Sequence, residues 1–206
     1  MTSLATRIVA VFAALAAALL LSSCTSSESA DGQTDHQHPD APAITGEPAG
    51  YNADDVAFAT NMIPHHQQAV DMSALVPDRT ANPELIALAQ QISGAQEPEI
   101  KALRVFLVQW NENPDTATGE GHANHADMQG MVDEATMARL ESLRGEEFDT
   151  LWLESMISHH EGAVEMAKAE IANGANVDAK NMAQTMIDSQ QAEITQMRQM
   201  LGGPNG

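Results

Sequence analysis

A single cysteine, Cys24, leaves this chain of 206 residues without a partner for an intrachain disulfide and without the thiols for a cysteine-based metal centre. Aromatic residues are almost as scarce, at 3%, while Ala, Met, Leu, Gln and Glu are abundant, which favours helix over sheet. Positive charge is the third shortage. Nine Lys and Arg stand against 29 Asp and Glu, a formal charge of −20, and such a surface repels nucleic acid and anionic lipid headgroups, so both are excluded as partners. The sequence also lacks a nucleophile placed with its base, a phosphate loop and a nucleotide fingerprint, so an enzymatic role has the least support.

One apolar run exists, Ile8 to Leu21 behind Arg7, too short to span a membrane but suited to the core of a secretory signal peptide. It leads into Leu21-Ser22-Ser23-Cys24, which resembles a bacterial lipobox, where diacylglycerol is attached to the Cys and the chain is cut just before it. Residues 1–23 are therefore expected to be a lipoprotein signal peptide, with lipidation at Cys24 holding the protein at the outer face of the cytoplasmic membrane. The competing reading is an ordinary signal peptide with an incidental Cys. Residues 24–50 are mostly Ser, Thr, Asp, Gly, Pro and Ala, which bury too little to offset the entropy of ordering; they read as a disordered tether, with His36 and His38 as loose metal contacts at most.

What the remainder does contain is written twice. The block from Phe58 to Asp71 recurs from Trp152 to Glu165, and the offset of 94 residues persists beyond it: Asp55 matches Asp149, Asn82 matches Asn176, Gln96 matches Gln190, Glu99 matches Glu193 and Arg104 matches Arg198. An internal duplication over 54–107 and 148–201 follows.

Helix signals fit each copy. The first long helix is expected from about Asn52 to Val76, ended by Pro77, and the second from an Asn82 cap with Pro83 behind it to about Glu112. A short helix from about Asp133 to Arg144 stops at Gly145; the third long helix spans Glu146 to Asn173 with Gly174 as its stop, and the fourth runs from an Asn176 cap to Leu201. Pro64 and Pro98 are expected to distort the first pair. Two matching helical hairpins bury their apolar stripes against each other, so residues 51–206 should form one all-α domain, an antiparallel four-helix bundle with approximate two-fold symmetry.

Each copy carries Met-Ile-x-His-His. On a helical wheel Met62 centres an arc that also holds Phe58, His65, His66, Ala69, Val70 and Met72, so the His pair faces the core or its edge. Met62 and His66 stand one turn apart, about 6 Å along the axis, and can converge on one ion. The same holds for Met156 and His160, whereas Met72 and Met166 would join a second site or pack. Thioether with imidazole is a soft ligand set suited to Cu(I) or Ag(I), and no His has the Glu three residues earlier that di-iron bundles use. Iron is disfavoured, and zinc would need His alone with Glu161 or Glu165. The loop His122-Ala-Asn-His125-Ala-Asp-Met128-Gln-Gly-Met131 adds a potential soft ligand at every third position. Set against this, Met at helical spacing fills bundle cores, a lone His is commonly a structural hydrogen-bonding group, and a duplication copies structural residues as faithfully as ligands. Gln96, Glu99 and their repeats either orient the imidazoles by hydrogen bonding or form ion pairs between Glu and Arg.

The doubled Met-Ile-x-His-His-x-x-Ala-Val-x-Met, with Gly145-Glu-Glu-Phe148-Asp149 leading into the second copy, resembles the bacterial family called domain of unknown function 305. The resemblance covers Asp54 to Leu201. It implies a ferritin-like four-helix bundle, exported or lipid-anchored, with some relatives binding Cu(I) or Ag(I) through Met and His. Carried over by position, the ligands would be Met62, His65, His66 and Met72, then Met156, His159, His160 and Met166. A central loop sparser in Met than in the most Met-rich relatives argues against high-capacity storage. The expected function is an extracytoplasmic copper-binding protein acting in buffering, transfer or tolerance, with the loop His and Met as an accessory site. Two alternatives stand beside it: a ferritin-like redox enzyme using copper or iron, favoured if Glu99 and Glu193 face the His pairs, and an envelope interaction module whose His pairs are structural.

Overall fold

The computed structural model describes residues 50–115 and 128–202; the expected signal peptide, Cys24, His36 and His38, and the loop residues His122 and His125 lie outside them. Five helices occur among the described residues, α1 (Ala53–Arg79), α2 (Pro83–Gln109), α3 (Glu134–Ser142), α4 (Gly145–Asn173) and α5 (Val177–Gly202), with no strand. The four long helices form an all-α bundle from two hairpins, α1 with α2 and α4 with α5, joined mainly through α1 against α4. The short α3 packs on α1 and α4.

The duplicated caps start equivalent helices. Asn82 Oδ1 accepts from the backbone N–H of Glu84 at 3.1 Å and of Leu85 at 3.4 Å, and Asn176 does the same for Asp178 and Ala179 at 3.1 and 3.0 Å. Each such cap is worth about 1 kcal/mol. At the start of α1, Asn52 and Asp55 close a reciprocal capping box.

Three boundaries differ from the sequence expectation. α1 does not end before Pro77 but runs through it to Arg79. Pro77 deprives only the Ser73 carbonyl of its helical donor, so the last turn persists, and the Trp152 indole N–H supplies an external donor to the neighbouring Met72 carbonyl at 2.9 Å. α2 stops at Gln109 rather than near Glu112: Trp110 caps it, Tyr51 and Phe106 stack on the Trp110 ring, and Asn111 turns away with a φ of 58°. Gly145, expected as the stop of the short helix, instead opens α4 with a φ of 62°. Pro64 and Pro98 lie inside α1 and α2 without interrupting either.

The apolar core is divided in two. One cluster is built on Met62, Ile63, Ile100, Leu103, Ala163 and Met186; the other on Ala69, Met72, Ile92, Trp152, Met156 and Met197. The offset of 94 residues carries one into the other, since Met62 matches Met156, Ala69 matches Ala163 and Leu103 matches Met197. The approximate two-fold axis therefore passes between the clusters.

Candidate functional site

On every long helix the switch from one cluster to the other is made by polar residues. In α1, His65 and His66 stand between Ile63 and Ala69; in α4, His159 and His160 stand between Met156 and Ala163. Gln96 separates Ile92 from Ile100 in α2, and Gln190 separates Ile187 from Ile194 in α5. The four His are fully buried, and Gln96, Gln190 and Glu193 nearly so. The outcome is a polar layer across the middle of the bundle, between two apolar halves.

Its bonding follows the duplication. His66 Nε2 lies 2.8 Å from Glu99 Oε2, and His160 Nε2 lies 2.8 Å from Glu193 Oε2, each carboxylate reaching across from the partner helix of its own hairpin. Of the two roles open to these Glu residues, the orienting one is realised and the ion pair with Arg is not. Arg198 pairs instead with Glu161 at 2.6 Å, and Glu193 Oε1 accepts from Gln91 at 3.1 Å. An ionised carboxylate only accepts, so Nε2 carries the proton and, in the neutral ring, Nδ1 keeps its lone pair.

His65 and His159 form the contact between the halves, with ring centroids 3.8 Å apart and planes inclined at 36°. Burial, then repulsion from His66 and His160, pulls the His65 pKa down to about 3, against the pull of the Gln129 carbonyl. Burial and the other three imidazoles likewise push His159 well below the usual range. Both rings are therefore neutral near pH 7, the form that binds metals. Within the protein, His65, His66 and His160 leave Nδ1 without a partner, His159 leaves both nitrogens, and Gln96 and Gln190 leave both amide atoms. A buried polar atom left unpaired costs about 1–3 kcal/mol, so these atoms are the ones in the layer open to a further partner.

Of the expected Met ligands in the repeats, Met62, Met72 and Met156 are fully buried and Met166 partly. Met62 shares its cluster with Met186, and Met166 and Met182 pack against it, while Met72 and Met156 share the other cluster with Met197, flanked by Met137 and Met200. The antiparallel crossing of α1 and α4 thus sets Met62 of one half with Met166 of the other, and Met72 with Met156. Sequence reasoning passed over the α5 thioethers. The signal was available: Met182, Met186, Met197 and Met200 occupy the positions that α2 fills with Leu88, Ile92, Leu103 and Phe106.

Met128 and Met131 belong to a short strap laid over α1 and α4. The Gln129 carbonyl accepts from His65 Nε2 at 3.3 Å, and the Gln68 side chain both donates to the Val132 carbonyl and accepts from its N–H, each at 2.8 Å. Beside the strap runs a groove of about 690 Å³, lined by Gln129, Glu161, Val164, Ile194 and Arg198 among others. Among the described residues no group of three or more His, Cys, Asp or Glu side chains is placed to hold a metal ion by itself.

Comparison with known proteins bears on this arrangement. The profile of the family described as Domain of unknown function (DUF305) matches residues 55–201. A DUF305 protein from Streptomyces coelicolor is 35% identical, with a TM-score of 0.62 over 70% of this chain and 89% of its own. A DUF305 fragment from Deinococcus radiodurans is 31% identical, with a TM-score of 0.66 over 73% of this chain and 97% of its own. CopM in its Cu(I)-bound form is also 31% identical, with a TM-score of 0.60 over 74% of this chain and 98% of its own. A search of curated proteins gave no match.

Proposed function

The chain belongs to the DUF305 family, and from that membership and its buried imidazole layer we propose that it binds Cu(I) outside the cytoplasm, in copper buffering, transfer or tolerance. The observation that carries the reading is the set of unpaired Nδ1 atoms on buried imidazoles, bounded on both sides by thioethers. Those donors fit the ion: imidazole and thioether are soft ligands, and Cu(I) accepts few of them. CopM, a structural relative, has been obtained with Cu(I) bound.

In this reading the Nδ1 atoms of His66 and His160 are ligands, Glu99 and Glu193 orient them through Nε2, and His65 and His159 complete the layer. Met62 and Met166 on one side, and Met72 and Met156 on the other, supply sulphur. His122, His125, Met128 and Met131 form an accessory site where an ion is first captured, and diacylglycerol on Cys24 tethers the protein to the outer face of the cytoplasmic membrane. Bound copper would supply a soft Lewis acid; zinc and iron suit this donor set less well.

A redox enzyme of ferritin-like type is the second reading, and the contacts of Glu99 and Glu193 with His66 and His160 favour it. Each carboxylate, however, meets one imidazole at the nitrogen that the proposed copper site does not use. Competition for Cu(I) against a chromogenic chelator, with thermal melts alongside, tests both. His66→Ala with His160→Ala should abolish tight binding and keep the helical content. Unchanged stoichiometry with lost stability would make the layer structural, and copper- or iron-dependent turnover of oxygen would favour the enzyme.

A further inference from the structure

The two halves differ at an equivalent position beside the polar layer. Where α1 has Gln68, α4 has Gly162, and the strap meets the bundle at both. A Cβ on Gly162 would lie 1.9 Å from the Gln129 carbonyl oxygen and 2.9 Å from the Gly130 Cα, so no other residue allows the strap to lie there. Gly130 has a φ of 85°, and a Cβ on it would stand 2.6 Å from the Ser158 carbonyl oxygen. The strap therefore touches α4 backbone against backbone. On the opposite side the Gln68 amide grips Val132 by both its donor and its acceptor.

What these contacts fix is the height of the Gln129 carbonyl over His65. A carbonyl oxygen cannot donate, so the ring nitrogen it meets must carry the proton. The strap makes no such bond to His159, the matching residue. It thereby sets one half of the layer only.

We propose that Gln68 and Gly162 are positioning residues: by seating the strap of residues 128–132 they hold the Gln129 carbonyl on His65 Nε2, fix that ring as its Nε2–H tautomer, and present its Nδ1 lone pair to a bound metal. The metal part rests on the copper-binding reading; the tautomer part does not. The duplicated site is thus an unequal pair, with the strap acting on His65 and not on His159.

Two substitutions displace the strap by unrelated means. Gln68→Glu keeps the shape and the acceptor for the Val132 N–H but puts a carboxylate against the Val132 carbonyl, and Gly162→Ala drives a methyl group into the Gln129 carbonyl. Histidine side-chain ¹⁵N spectra of the metal-free protein should show His65 wholly as the Nε2–H form in the parent and as a mixture in both variants, with His66 and His160 unchanged. Ag(I) titrations of the same proteins should show affinity lower by roughly 10–100-fold, the range for losing a group that orients a ligand. A His65 tautomer that stays fixed in both variants overturns the proposal, as does a mixed tautomer with parental Ag(I) affinity. If the parent binds no Ag(I), the copper reading fails, and the metal-free spectra still decide whether the strap sets the tautomer.

Discussion

His65 and His159 meet ring against ring, 3.8 Å between centroids, although 94 positions separate them in the chain. They hold the same place in the two copies, so the contact is one residue of the ancestral hairpin meeting its own duplicate near the two-fold axis. Two protonated rings could not share that contact, because each would repel the other where little water screens them. The core of this bundle is therefore organised around groups that have to stay neutral.

That neutrality makes stability depend on pH. Both imidazoles bind protons more readily in the unfolded chain than in the folded one, so what they contribute to stability is complete above the ordinary value of 6.5 and falls as pH drops below it, for His65 toward about 3. Within that window His65 contributes a slope of roughly 1 kcal/mol per pH unit. Melts of metal-free protein between pH 7 and 4.5 should show the loss, and His65→Leu should remove part of the slope. A flat profile would mean that the rings are charged or solvated in the fold.

Glu170 works in the opposite direction. Its buried carboxyl lies near Asp55, and burial together with that neighbouring carboxylate raises its pKa to about 8, although Lys180 pulls it down. Asp55 itself is held low: burial works against this, but the backbone N–H groups of Asn176, Asn52 and Ala175 outweigh it. A folded state that keeps the Glu170 proton longer than the unfolded chain loses stability as pH rises from 4.5 to about 8. Glu170→Gln should flatten the decline between pH 6.5 and 8, and melts at those two values check it.

The helices were legible because their signals are local: Asn82-Pro83 and Asn176 start helices in the structure as they do in the sequence. Burial of both His pairs followed from the wheel. The end of α2 at Trp110 was not legible, because Tyr51, far away in sequence, stacks on its ring and donates to its carbonyl. The grouping of Met62 with Met166 and of Met72 with Met156 depends on how two antiparallel helices cross, which the spacing within one helix does not reveal. Gln68 and Gly162 looked like ordinary helix residues. Only the strap, folded over them from 64 residues beyond Gln68, gives them a role.

Lipid attachment is tested at Cys24. If diacylglycerol is added there, Cys24→Ser should release the mature protein from the membrane fraction or leave uncleaved precursor, as immunoblots of fractionated cells would show. Unchanged processing with full membrane retention would refute the anchor.

The α5 thioethers give the sharpest separation of ligand from filler, because the duplication supplies a control for each. Met182, Met186, Met197 and Met200 sit where α2 carries Leu88, Ile92, Leu103 and Phe106, and those residues already pack in equivalent surroundings. Met182→Leu, Met186→Ile and Met197→Leu keep core volume roughly constant and cost less than about 1.5 kcal/mol each, while Met200→Phe places the larger ring at a partly buried position. If Met is there for packing, the fourfold variant should bind Ag(I) like its parent. If the thioethers complete the imidazole layer's ligand sets, it should take up fewer Ag(I) ions per chain by titration calorimetry. Soft sulphur donors favour Cu(I) over Cu(II), so its retention of Cu(II) should change less than its retention of Cu(I). Full Ag(I) stoichiometry would restrict the site to imidazole and to the thioethers of α1 and α4.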